Sequence, residues 1–350
     1  GEDGIEGISL GGDYPGNVYR SFQNTLKGLS GRGLALGIVS KNIEDDALLV
    51  IDNHPEMVLK KKDFVSSRIN WKDKVTNIIE ISSELGLGLE HIGFVDDNPV
   101  ERQLIREFLP EVAVVELPED PTAFIETIDR RFFFETVVFS HEDSKRSQLY
   151  KQNTIRLEHQ KKFDSIDEFL YSLEMESEVG SLCDTYLPRF VQLINKSNQF
   201  HLTTTRYTES EIQTMIADDK KILRYFRLKD KFGDNGLVSA VIMEHQEEAF
   251  FIDTWVMSCR VLSRGMEEFI CNEIITLAKK AQSKIVRGKF IPSKKNKLVV
   301  DLYKRLGFEL TKKDPDETTY WELKMEGKLP ELTHTIKRAK GKAMVQDESR

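Results

Sequence analysis

The stretch FVDDNPVER sets Asp96 and Asp97 side by side at the end of an apolar run. Adjacent carboxylates repel each other, and a hard cation such as Mg2+, which takes oxygen ligands, cancels that repulsion. The same residues also suit a helix start, with Asp97 or Asn98 bonding free amides ahead of Pro99. Upstream, Ser40 in GIVSKN offers a hydroxyl and neighbouring backbone amides to a phosphate oxygen. Lys74 in NWKDK offers an ammonium to neutralise phosphate charge, although a single lysine on a helix is commonly just solvated. A hydroxyl that orients, a lysine that neutralises and carboxylates that hold a metal are the parts phosphoryl chemistry uses.

A second constellation lies in CRVLSRGMEEF. It follows an apolar strand pattern and opens a helix, so its free amides suit a pyrophosphate, and Gly265 lets a ligand approach the backbone. A degenerate loop of this kind can also persist where no cofactor binds.

The elements that must position these groups follow from apolar spacing. LALGIVS reads as a short buried strand, IEDDALLVIDNH as a helix, and WKDKVTNIIEISSELGL as a helix ended by Gly86 and Gly88. HIGFVD is a strand, PVERQLIREFL a helix with Pro in its first turn, and VAVVEL another strand. Alternating strands and helices imply a parallel sheet whose sites gather at the carboxyl ends of its strands. Ser40 and Asp96 both fall at such ends.

From Glu174 the pattern changes to α+β. A strand and the helices YLPRFVQLINKS and TESEIQTMIADD precede three strands, ILRYFRLKD, GLVSAVIMEH and AFFIDTWVMS. A helix from Arg264, the strand KIVRGKFI, the helix NKLVVDLYKRLG and two final strands follow. The expected organisation is residues 1–140, 141–173 as a helical linker, 174–326, and a polar, disordered tail over 327–350.

Length and composition fit two domains with cores of their own: 350 residues, 39% hydrophobic and 31% charged. A net charge of −8 excludes a general nucleic-acid binder, and no apolar run is long enough to span a membrane. Cys183, Cys259 and Cys271 lack metal-type spacing, and an odd count makes a poor disulfide framework, which points to a reducing cytoplasm. The chain opens on GEDGIEGISL without Met, so its natural start is expected upstream. Asp3-Gly4 reads as a hairpin turn.

The phrases VSKN, HPEMVL, NWKDK, FVDDNPVER and ELPEDP, with FFFETVVFSHED and NKSNQFHLTTTRYT, resemble the FkbH-like branch of the HAD superfamily (subfamily IIIC) over nearly the whole chain. The order Ser, Lys, Asp-Asp is similar to HAD motifs II, III and IV. The resemblance implies a Rossmann-type HAD-like domain in which Ser40 binds phosphate, Lys74 stabilises its charge, Asp96 ligates Mg2+ and Asp97 assists. Motif I, D-x-D-x-T, which carries the nucleophile on the first strand, is not found, so the resemblance implies a HAD-like domain lacking its first strand.

Arg260-x-x-Ser263-x-Gly265 resembles the acyl-CoA loop of GNAT acyltransferases, with Ser263 in place of a glycine. That resemblance implies CoA or phosphopantetheine held by Arg260, Val261, Ser263, Arg264, Gly265 and Asn296. It also makes Tyr303 a proton donor to a leaving thiolate. The implied activity is glyceryl transfer from 1,3-bisphosphoglycerate to an acyl carrier protein in polyketide or related secondary-metabolite biosynthesis. The alternatives are a HAD phosphatase fused to a GNAT acetyltransferase, and a non-catalytic carrier-protein docking module.

Overall fold

The computed structural model describes residues 8, 10–130, 134, 146–327 and 329–339. The Asp3-Gly4 turn and most of FFFETVVFSHED lie outside the described residues. The chain forms two units, Gly1–His159 and Gln160–Arg350.

The first unit runs α1 (Gly16–Gly31), β1 (Leu36–Ser40), α2 (Glu44–Asn53), β2 (Phe64–Ile69), α3 (Lys74–Leu85), β3 (Gly93–Asp96), α4 (Pro99–Phe108), β4 (Ala113–Glu116), α5 (Phe124–Arg130) and α6 (Arg146–Gln160). Among the described residues its strand pairings are parallel, as the alternating pattern requires. The strands form two separate pairs, β1 with β2 and β3 with β4, and among the described residues no ladder joins β1 to β3. One apolar cluster nevertheless spans both pairs: Val39 of β1 and Phe94 of β3 pack with Ile78 of α3 and Ile105 of α4. Helix α3 ends at Gly86 in the left-handed region (φ 63°), the stop that Gly supplies at low cost.

Three elements of this unit escape the apolar pattern. In β2 the sequence FVSSRI hides a strand behind polar residues. Arg68 lies 3.1 Å from Glu80 and 2.6 Å from Glu84, and the buried Ser66 hydroxyl also bonds Glu84 (3.1 Å), so helix α3 satisfies what the strand buries. The other two are α1, over GNVYRSFQNTLKGLSG, and α5, over FIETIDR.

The second unit runs α7 (Ile166–Ser172), β5 (Glu176–Ser181), α8 (Leu187–Lys196), α9 (Glu209–Ile216), β6 (Lys221–Asp230), β7 (Gly233–Gln246), β8 (Ala249–Met257), α10 (Met266–Lys280), β9 (Ile285–Phe290), α11 (Leu302–Arg305), β10 (Glu309–Lys313), β11 (Thr319–Lys324) and β12 (Lys337–Arg338). Its mixed sheet has the order β10-β11-β9-β8-β7-β6-β5-β12. The main core gathers α7, α10 and α11, while α8 and α9 pack in a second cluster with the alternate residues of β6 and β7. This is the expected fold class: a parallel α/β unit followed by an α+β unit.

Two expectations are corrected here. NKLVVDLYKRLG is a 3-10 turn (Lys297–Val299) and the short α11 rather than one helix, although Val299, Leu302, Tyr303 and Leu306 all reach the core. The chain beyond Gly327 is not a polar, disordered end over its described part. Ile336 is buried, Leu329 and Leu332 pack on the core, and β12 pairs in parallel with β5. Three apolar residues among many charges are enough to seat it.

Candidate functional site

In the first unit, Lys74 and Asp96 meet. The Lys74 ammonium donates to Asp96 Oδ2 at 2.5 Å, with both side chains largely buried. Asp73 caps α3 by accepting the Thr76 N–H, which places Lys74 at the first helical position. That amide also holds the Asp73 carboxyl below the usual carboxylate range. Asp96 ends β3, and its Oδ1 accepts the Asn98 N–H (2.9 Å).

The cap of α4 is Asn98, whose Oδ1 accepts the Val100 N–H (2.9 Å), with Pro99 following in the first turn. The helix start therefore does not use the Asp97 carboxylate, which has no ion-pair partner among the described residues. The capping role in this stretch thus falls to Asn98.

Ser40 ends β1, where its carbonyl accepts the Asn70 N–H at 3.0 Å and its half-buried hydroxyl makes no hydrogen bond among the described residues. The next residue, Lys41, ion-pairs with Glu101 of α4 at 2.7 Å, which ties the end of β1 to the turn after β3. Arg102, also on α4, donates to the carbonyls of both Asp96 and Asp97 at 2.8 Å. Its Nε lies 3.3 Å from Glu116 of β4. Lys41, Glu101 and Arg102 stand in the phrases VSKN and FVDDNPVER, yet only their partners across the fold give them a role.

Among the described residues no three His, Cys, Asp or Glu side chains converge on one point. Asp96 and Asp97 are two adjacent oxygen donors, and Mg2+ commonly binds through one or two carboxylates, filling its octahedron with water and substrate phosphate oxygens. The donor set fits that mode of binding, with Lys74 standing where a cation would compete for Asp96.

The second candidate region has a different character. Gly265 caps α10 at φ 80°, a conformation that favours glycine, and a Cβ there would press on the C-terminal segment, 3.3 Å from His334 Cβ. Ser263 is also left-handed (φ 58°), a conformation that glycine adopts most readily. Val261 is buried and Arg260 lies beside it in a 3-10 turn, its Nε bonding Ser258 at 3.2 Å. Arg264 turns inward, its guanidinium 3.4 Å from Asp230 at the end of β6. Glu267 and Glu268 fill the first turn of α10, and burial pushes the Glu267 carboxyl up.

Beyond this loop the strands diverge. β8 and β9 pair only from Ala249↔Ile285 to Ile252↔Gly288. Phe200–Leu202 enters where they part: Leu202 N–H donates to Trp255 O (3.2 Å), Met257 N–H to Phe200 O (3.1 Å) and Ile291 N–H to Leu202 O (2.8 Å). Asn296, fully buried, fastens the insertion by donating to His201 O and Ile291 O, both at 2.9 Å. The Asn296 Oδ1 accepts the Ser293 N–H, so its amide is committed to the chain itself.

His201 is held equally firmly. Its Nδ1 accepts the Thr204 N–H (3.1 Å) and its Nε2 lies 2.9 Å from Thr205 O, which makes Nε2 the protonated nitrogen. Burial pushes its pKa down to about 4. The Tyr303 phenol lies against Gly288 and stacks on Trp321 in the core, 1% exposed and with no hydrogen bond among the described residues. Burial raises its pKa well above that of an ordinary phenol. The structure thus places Tyr303 inside the unit and Asn296 in its framework.

No protein-family model matches the chain. No curated protein matches it either. Solved structures similar to it include the N-terminal part of a Bacteroides fragilis protein containing a phosphatase domain, complexed with Mg. The identity is 40% over 39% of this chain and 37% of that one, with a TM-score of 0.39. This chain therefore spans little more than a third of that protein chain. The ribosomal-protein-S18-alanine N-acetyltransferase of Escherichia coli is 13% identical over 43% of this chain and 94% of its own, with a TM-score of 0.34. An aminoglycoside acetyltransferase, AAC(6')-Ib, in complex with coenzyme A is 14% identical over 43% and 95%, with a TM-score of 0.33. Among the described residues no helix is long and apolar enough to cross a membrane.

Proposed function

We propose that the first unit handles a phosphoryl group together with Mg2+, and that the chain belongs to an FkbH-like glyceryl transferase. The substrate would be 1,3-bisphosphoglycerate and the acceptor the phosphopantetheine thiol of an acyl carrier protein. The observation that carries the phosphoryl reading is the Lys74–Asp96 pair at 2.5 Å, joining a helix start to a strand end. The FkbH-like phrases supply the substrate and the carrier.

In this reading the Ser40 hydroxyl donates to a phosphoryl oxygen, and Lys74 spreads its positive charge onto the same group. Asp96 and Asp97 hold Mg2+, which when bound neutralises phosphoryl charge. Lys74 pairs with the Asp96 carboxylate in the absence of the cation. Asn98, as the cap of α4, keeps the two acids at the strand end.

A second reading, favoured by the filled space between β8 and β9, makes the second unit a carrier-docking scaffold rather than an acyltransferase. Calorimetry with CoA, holo carrier and apo carrier, with Mg2+ and inorganic phosphate titrated separately, tests both readings. Phosphate heat that needs Mg2+, and holo carrier heat that exceeds apo, support the glyceryl-transfer reading. Carrier heat without CoA heat supports the scaffold. Failure of phosphate to bind in the presence of Mg2+ contradicts the phosphoryl reading.

A further inference from the structure

Among the described residues the β1–β2 and β3–β4 pairs share a core cluster but no ladder, so the contacts described between the ends of β1 and β3 are those of side chains. Residues from the first turn of α4 make them. Glu101, almost buried, holds Lys41 from the end of β1 at 2.7 Å. Arg102, the next residue, holds the carbonyls of Asp96 and Asp97. Its Nε lies 3.3 Å from Glu116, the residue opposite Asp96 in β4, as an ion-pair contact without a hydrogen bond.

We propose that Lys41, Glu101 and Arg102 are positioning residues that set the distance between the phosphate-holding end of β1 and the carboxylate turn after β3. The proposal rests on the phosphoryl reading of that site. Its physical content is a coupling. A cation at Asp96 and an anion at Ser40 strengthen each other only when their separation is fixed, and the effect of each on the other is equal by linkage. A loosened latch lets the two strand ends drift, so each ligand still binds but helps the other less. The guanidinium adds a second effect, since its charge beneath the turn offsets repulsion between the adjacent acids.

A different role for Lys41 makes the opposite forecast. If Lys41 simply attracts phosphate, removing its partner carboxylate frees its charge and tightens phosphate binding. Glu101→Gln therefore separates the two. The experiment is a calorimetric Mg2+ titration of the full chain with and without inorganic phosphate. It is made on wild type, Glu101→Gln, Lys41→Met, Lys41→Arg, Arg102→Met and Arg102→Lys.

The expected result is that phosphate tightens Mg2+ binding in wild type. Glu101→Gln, Lys41→Met and Arg102→Met should cut that enhancement at least threefold, and Lys41→Arg and Arg102→Lys should restore part of it. Amide exchange of Asn98, whose N–H bonds Asp96 Oδ1, should speed up in Arg102→Met and recover in Arg102→Lys. Wild-type linkage in Glu101→Gln, or tighter phosphate binding, overturns the latch and leaves the phosphoryl reading standing. Wild type that binds neither ligand overturns both, because no pair of ligands then remains to be spaced.

Discussion

As sequence, the strand ends of the first unit and the Arg260–Gly265 loop share one pattern: an apolar strand, a polar turn, a helix start. They differ in who satisfies the polar groups. In the first unit Lys74, Asp96, Lys41 and Glu101 come from separate elements and meet as charges, while the Asp97 carboxylate has no ion-pair partner and the Ser40 hydroxyl no hydrogen bond among the described residues. Around the loop of the other unit the groups are already spent. Arg264 lies on Asp230, Asn296 on two carbonyls, and Phe200–Leu202 on the backbone of β8 and β9. A motif marks where a ligand can bind, but binding needs polar capacity that the fold itself has left unused.

The sharpest way to break this contrast is to unfasten the second unit. Asn296→Ala leaves His201 O, Ile291 O and the Ser293 N–H without their partner in the interior. Orphaned buried groups each cost on the order of 1–3 kcal/mol, so the unit should lose about 3 kcal/mol in urea unfolding. A loss below about 1 kcal/mol would mean that Asn296 is replaceable, as a ligand-binding amide awaiting its cofactor would be.

His201 gives a graded form of the same test. In an unfolded chain its imidazole titrates near 6.5. The folded unit refuses that proton down to about pH 4. Below the unfolded value the unfolded state therefore binds more protons, and stability falls as pH drops from about 6.5 to about 4, then levels. The integrated loss is about 3 kcal/mol. Unfolding midpoints across this window should show the slope in wild type and a much flatter one in His201→Gln. An equal slope in both would assign it to other groups.

A smaller effect is expected at Lys74. Its ammonium occupies Asp96 and must be displaced by a cation, so Lys74→Met should tighten Mg2+ alone by roughly tenfold, about 1.4 kcal/mol. It should weaken phosphate at the same time. Weaker Mg2+ binding in Lys74→Met would show that the lysine shapes the carboxylates more than it competes for them. The smallest effect belongs to Tyr303→Phe. Its buried phenol makes no hydrogen bond among the described residues, so removing the hydroxyl relieves an unpaired polar group and should stabilise the unit by up to about 1 kcal/mol. A destabilisation above about 1 kcal/mol would reveal a bond the fold depends on.

Much of this architecture was legible in the sequence because strongly periodic segments report their burial directly. The strand at Ser40, the helix after Lys74 with its Gly86 stop, and the strand ending at Asp96 stand where their spacing put them. β2 was not legible, since Arg68 and Ser66 inside it are satisfied by Glu80 and Glu84 on a helix later in the chain. No local pattern carries that compensation. The same holds for the site. Ser40, Lys74, Asp96 and Asp97 were visible as residue types at strand and helix ends, but Lys41, Glu101 and Arg102 acquire their places through partners up to 60 residues away. In the second unit the sequence marked Asn296 and Tyr303, and only the packed structure shows the first fastened to carbonyls and the second enclosed by Gly288, Phe308 and Trp321.

The central claim is that the β3 end of the first unit is a cation site completed by Asp96. A calorimetric titration of Mg2+ into wild type and Asp96→Asn, in the presence of inorganic phosphate, tests it most directly. Asparagine keeps the size of the side chain and an oxygen for the Asn98 N–H but removes the charged ligand. The account predicts a saturable heat in wild type and an affinity lower by on the order of 100-fold in Asp96→Asn, since hard cations depend on charged oxygen donors. The same affinity in both proteins would contradict it.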